Sequence, residues 1–240
     1  MKHFEKRIKY ALFAAVAASL MGTGTLYAAN EPSELNADTV EYDVASGLAT
    51  ATGNVLLKQG NARATGLKAT YNTKTQEAML EGNVIAEREK LRITCNKVHS
   101  DGKGHMQADG NVYGKQEDKT FIGEHVDYYP DDRKHVVIPL GGVVTSKDGT
   151  ATADHMEGWM DDEYYIGTGN AHLVSPPRNL EAGGNRIDYY GKEQRVAILT
   201  GNAWAYQNNN SMKGNRVTVY LADEGKAAAP AAPATEQSAN

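Results

Sequence analysis

The sequence predicts an all-β fold, a long antiparallel meander of about 13 strands folded over into a jelly roll. Three observations carry that reading. Glycines recur at positions 53, 82, 110, 141, 169 and 201, spaced 28 to 32 residues apart, and five of the six open a Gly-Asn-Val or Gly-Asn-Ala triplet. A second motif, small–polar–x–apolar, interleaves with the first and starts at Ala37, Gly66, Cys95, Gly123, Ala153, Gly184 and Gly214. Turn chemistry such as "VASG", "QGN", "GKEQ" and "QNNN" then cuts the chain at intervals of about 15 residues. Two interlocked series with one period mark a repeat protein.

The chain opens with a segment outside the repeat. Lys2, Lys6, Arg7 and Lys9 form a basic region, Tyr10 to Met21 an apolar one, and small residues follow up to Ala29. That order predicts a secretory signal peptide over 1–29, cleaved after Ala28 or Ala29. The alternative is an uncleaved anchor, although the apolar run is short for a membrane span. Loss of four basic residues and Glu5 would take the formal charge from −5 to −8. An acidic mature chain argues against nucleic acid as a partner. Cys95 is the only cysteine, so no internal disulfide can form. Export without disulfides points to an envelope protein held by backbone pairing. At the other end, 223–240 reads as a disordered Ala/Pro-rich tail. The repeat domain is expected over 30–222.

Within it, each repeat holds two alternating segments. A parallel β-helix needs three or more strands per coil, so short turns between antiparallel neighbours are the simpler topology. Alternation assigns the faces. In the glycine series Val55, Leu57, Leu80, Val84, Val112, Val143, Ala171 and Leu173 fall on one side. In the second series Val40, Tyr42, Ala69, Tyr71, Val98, Val126, Tyr128, Met156 and Ile187 do so. One face is therefore apolar along the whole sheet, while Asn54, Asn83, Asn111, Asn170 and Asn202 mark the wet one. Leu56, Ile85, Tyr113, Val144, His172 and Trp204 break this rule, standing three residues past each glycine. Either a bulge at Gly-Asn switches the parity or that end of each strand is covered on both faces.

A sheet of this width cannot stay flat with one apolar face in water. Glycines at one level of every second strand predict a crease along which it closes. The first strand, with Thr39, Val40 and Glu41, and the last, with Val217, Thr218 and Val219, leave two edges without proline or bulge. Edges so ready to pair predict strand addition between molecules. The alternative is that the tail folds back over the last strand.

Catalytic patterns are lacking. His99, His105, His125, His135, His155 and His172 form no HExxH and no similarly spaced metal pair, so no metal or other cofactor is expected. The acid pairs Asp131–Asp132 and Asp161–Asp162 lie in turns. Cys95 has no evident partner as a nucleophile. The reading is not an enzyme; a carbohydrate-active enzyme or a structural or adhesive β-repeat protein with a filled core are the alternatives.

Two stretches, "ADTVEYD…ATATGNVLLKQGNARATGLKATYN" and "AILTGNAWAYQNNNSMKGNRVTVYLADE", resemble the OstA/LptA family of periplasmic lipopolysaccharide-transport proteins. The likeness runs over 35–222. It implies a twisted, semi-open antiparallel jelly roll whose apolar interior carries lipid A. It also implies copies joined end to end across the periplasm, with related jelly-roll domains of the inner-membrane transport complex and the outer-membrane translocon as partners. With no barrel following and a cleavable leader, the soluble bridge member is the expected one.

Overall fold

The computed structural model describes residues 33–191 and 194–221; the expected leader and tail lie outside them. Sixteen β-segments form one antiparallel sheet. They are β1 (Ser33–Asn36), β2 (Thr39–Asp43), β3 (Leu48–Gln59), β4 (Ala62–Asn72), β5 (Ala78–Arg88), β6 (Leu91–Ser100), β7 (Met106–Gln116) and β8 (Lys119–Tyr129). The sheet continues with β9 (His135–Ile138), β10 (Gly142–Ser146), β11 (Gly149–Ala153), β12 (His155–Trp159), β13 (Tyr164–Ser175), β14 (Leu180–Tyr190), β15 (Val196–Gln207) and β16 (Asn210–Tyr220). Three of the thirteen expected strands are each interrupted at one level. β1 and β2 both pair β3, β9 and β10 both pair β8, and β11 and β12 both pair β13. Thirteen long strands therefore appear as sixteen segments.

The Gly-Asn motif explains the level. Gly53, Gly82, Gly110, Gly169 and Gly201 have φ of 70 to 86°, and the asparagines after them have φ of 45 to 51°. Two consecutive left-handed residues are needed. Glycine enters that region freely, and asparagine enters it more readily than most residues with a Cβ. Opposite each pair the neighbouring strand supplies fewer residues: Thr52 pairs Lys68 and Val55 pairs Gly66, leaving Gly53 and Asn54 facing Leu67 alone. The same shift recurs in β5, β7, β13 and β15.

The strands fold back on themselves there. Residues four apart in a straight strand are about 13 Å apart. Yet a methyl placed on Gly167 would stand 3.7 Å from Cβ of Ala171, across the bulge of β13. Each long strand is thus a V, and the sheet is a semi-open jelly roll with its apolar face inside. Alternation holds on both arms of β3, where Ala49, Ala51, Val55 and Leu57 are all buried. On the partner β4 the parity switches instead, with Ala62 and Ala64 buried before the crease and Ala69 and Tyr71 after it.

The fourth glycine departs from the pattern. Gly141 is left-handed at φ 86°, but Gly142 replaces the asparagine and lies outside the left-handed region. There the strand ends at Ile138 and resumes at Gly142. The interior divides at the same place into two clusters, one from Ala49 to Ile138 and one from Ala153 to Val219, with Met156 packed against both.

Candidate functional site

The inner face and the two sheet edges are the features the fold brings together. Val55, Leu57, Leu80, Val84 and Val112 are each no more than 1% exposed. Ala69, Tyr71, Val98, Val126, Ala171 and Ile187 are also buried, and Tyr128, Met156 and Leu173 are half-buried on the same side. Many of their neighbours are alanines, among them Ala49, Ala51, Ala64, Ala182, Ala203 and Ala205. Small side chains let the two arms of the V approach closely, so the interior is filled by the protein itself. Burying one leucine in such a core contributes about 2 kcal/mol.

One expected inner residue is misplaced. Val143 pairs Ile122, which pairs Tyr113, and all three stand on the outer face, where Val143 borders a shallow depression with Asn111 and Glu124. Val144 is the inner residue, opposite Phe121 and Ala151. The cause is the missing left-handed asparagine: with Gly142 extended, the chain makes one turn fewer and the count from the glycine slips by one. Leu56, Ile85, Tyr113, His172 and Trp204 all stay on the outer face, partly exposed. Neither explanation offered for them holds, because parity switches on the neighbouring strands and their outer side is not covered.

At the centre the interior is less tightly closed. Val144 is 36% exposed, whereas the inner-face positions of Gly114, Gly123, Gly142, Gly158 and Gly167 are covered by neighbouring side chains, Phe121, Ile138, Tyr165 and Ala153 among them. At the ends, Val40 and Tyr42 are each 39% exposed on β2, whose residues are all exposed. Among the described residues β2 pairs only β3, and β16 only β15. Thr39 pairs Thr52 and Glu41 pairs Thr50 on the outer face, as Thr218 pairs Ile198; Val217 and Val219 point inward and are buried.

Sequence reasoning missed the polar order of the outer face. His105, Tyr129, His135, Trp159, Tyr164 and Tyr190 form one continuous stack, with successive ring centres 4.3 to 5.6 Å apart. Beside it each of two carboxylates bridges two histidines. Asp127 lies 2.7 Å from His105 Nε2 and 3.1 Å from His125 Nε2, and Glu157 lies 2.8 Å from His155 Nε2 and 3.3 Å from His135 Nε2. His125 Nδ1 is also 2.5 Å from Asp109. Burial opposes the charge on His125, but the bonds to Asp109 and Asp127 outweigh it and raise its pKa. Burial likewise opposes ionisation of Asp127, and the bonds from His105, Gln107 and His125 outweigh that, lowering its pKa. The signal was present as a row of residues in register, visible only once strand pairing is known. Among the described residues no group of three or more His, Cys, Asp or Glu is placed to hold a metal ion. Burial pushes the Cys95 thiol up to about 11, which keeps it protonated at neutral pH.

A creased antiparallel sheet with an apolar interior and two edges unpaired among the described residues defines the jelly-roll class. Residues 64–225 match the family described as LptA/(LptD N-terminal domain) LPS transport protein. The chain belongs to that family of lipopolysaccharide-transport proteins. Among solved structures it is similar to LptH of Pseudomonas aeruginosa, described as the LptA-homologous periplasmic component of the conserved lipopolysaccharide transport device. The two are 20% identical, over 43% of this chain and 79% of that one, with a TM-score of 0.39. No curated protein matches the chain.

Proposed function

We propose that the chain works in the periplasm, after removal of residues 1–29, and carries the lipid A end of lipopolysaccharide between the arms of the V. Copies join end to end through β2 and β16, and the same edges dock related jelly-roll domains at either membrane. The observation that carries this reading is the apolar inner face running from the β2 edge to the β16 edge. Thirteen strands about 4.8 Å apart give a segment roughly 60 Å long, short enough that several copies in series would be needed to span an envelope. The closed, alanine-rich interior requires the arms to part when acyl chains enter, and the less covered centre near Val144 is where that costs least. The same closure favours a second reading, a structural repeat protein with a permanently filled core.

Photo-crosslinkers separate the two. A probe at Val84, Val126 or Met156 is expected to capture lipopolysaccharide in cells, and one at Asn83 or Glu124 is not. Capture from neither face, or equally from both, would sink the carrier reading. For the edges, cysteines at Thr39 and Thr218, with Cys95 replaced by serine, should give ladders of crosslinked copies. Thr39 paired with Asn111, on interior β7, should give none.

A further inference from the structure

The outer face near the C-terminal edge carries a feature that the apolar interior does not use. Strand register sets His172, Gly183, Trp204 and Lys213 in one row across β13 to β16, with Glu181 and Tyr206 in the next. Gly183 has no side chain, and Trp204 leans into the space. A methyl on Gly183 would stand 2.9 Å from Trp204 Cζ2 and 3.0 Å from Cε2. The indole therefore packs over Gly183 and stays partly exposed. Tyr206, 42% exposed, is tilted 50° to it at 5.1 Å, and His172 flanks it at 5.7 Å and 39°. In the stack around Trp159 the rings cover one another's faces; here they form an open cradle. Asn202, Ala203, Trp204, Tyr206, Lys213 and Gly214 line a depression of about 550 Å³.

We propose that this cradle binds a saccharide, one pyranose ring carrying an acidic substituent stacking on Trp204. The C–H face of a pyranose is apolar and slightly positive, which suits the negative face of an indole. Its hydroxyls need polar groups nearby: Asn202 lines the depression, and His172, bonded to Glu181 at 2.9 Å, flanks the indole at 5.7 Å. Lys213 supplies the preference for acid. Its Nζ lies 5.8 Å above the Tyr206 ring, and among the described residues it has no carboxylate partner. An acyl chain would use none of these polar groups. The cradle lies on the face opposite the cleft, so it stands or falls independently of the carrier reading.

The chain has two tryptophans, so ¹⁵N-labelled protein gives two indole signals, one of them an internal control. Titration with tri-galacturonate should shift the Trp204 signal to saturation and leave that of Trp159 in place. Neutral galactotriose should bind more weakly, and K213Q should abolish the difference. Gly183→Ala, which pushes the indole off the sheet without removing it, should weaken tri-galacturonate about tenfold, the scale of one lost ring contact. W204F, retaining a smaller ring, should fall between it and the native protein. Two natural sources share this chemistry, the saccharide of lipopolysaccharide and the cell-wall glycan. Delipidated lipopolysaccharide and lysozyme-released wall fragments, run in parallel, assign the source by whichever saturates first. The proposal is overturned by the absence of any saturable shift, by equal movement of Trp159, or by unchanged affinity in Gly183→Ala. A Trp204 shift that follows protein concentration without sugar would also overturn it, assigning the cradle to a second copy of the chain.

Discussion

Two kinds of crease exist in one sheet. At Gly53–Asn54 and its four equivalents, two left-handed residues turn the strand back without breaking it, and the inner residue two past each glycine, Val55, Val84, Val112, Ala171 or Ala203, is no more than 3% exposed. At Gly141–Gly142 only the first is left-handed; the strand is cut, the core divides, and Val144 is 36% exposed. The difference teaches that closure of the jelly roll is a local backbone property, set by the residue after each glycine. It also separates two jobs: the regular repeats hold the fold, and the central one is the least closed place away from the sheet edges.

The largest contrast is in packing. Leu57 in the first cluster is fully buried, whereas Leu173 near the centre is half-buried. Leu57→Ala is expected to cost about 2–5 kcal/mol, as for large-to-small changes in sealed cores. Leu173→Ala should cost about 1 kcal/mol, because a site already open to water leaves less of a cavity. Urea midpoints at an unchanged denaturant slope check this. Equal losses would mean that the centre is as tightly packed as the arms.

Backbone strain gives the next contrast. Gly169 has φ 75°, so Gly169→Val places a β-branched residue in the left-handed region and should cost about 2–3 kcal/mol. Gly142→Ala meets the Cγ2 methyl of buried Ile138 at 3.0 Å and a carbonyl at 3.2 Å but no left-handed strain, and about 1 kcal/mol is expected. Thermal unfolding of the two variants side by side tests the order. A Gly142 variant as damaging as the Gly169 one would refute the account of the central break.

Much of this was legible in the sequence, for definite reasons. The period, the thirteen strands and the apolar face follow from alternation and turn chemistry, which act over a few residues. The placement of Val143 was not legible, because parity beyond a bulge depends on whether one backbone unit is left-handed, and Gly-Gly allows both. The side on which Leu56 and Trp204 stand stayed open because the parity change falls on the neighbouring strand. The stack from His105 to Tyr190 and the bridges through Asp127 and Glu157 join residues of five strands, β8, β9, β12, β13 and β14, with His105 just ahead of β7. No single strand carries their signal.

The smallest effect concerns those bridges, which lie beside the broken repeat. His125 presents both ring nitrogens to carboxylates, Asp109 on one side and Asp127 on the other, so its cation is favoured and its pKa is raised. A raised histidine contributes stability that is complete below its unfolded pKa, about 6.5, and is lost as pH climbs through the folded value. Asp127 works in the opposite sense. Its lowered pKa contributes stability above its unfolded value, about 3.9, which is lost as pH falls through the folded one. Both contributions are in force together between about pH 4 and about pH 6.5. His125→Gln should therefore destabilise the protein more at about pH 5.5 than at about pH 8.5. The cost of Leu57→Ala, which removes no charge, should be the same at both. Urea midpoints at the two pH values, with an NMR titration of the His125 ring, decide it. If the His125→Gln penalty is independent of pH, or grows toward alkaline pH, then His125 is held neutral and the carboxylates beside it do not stabilise a charge there.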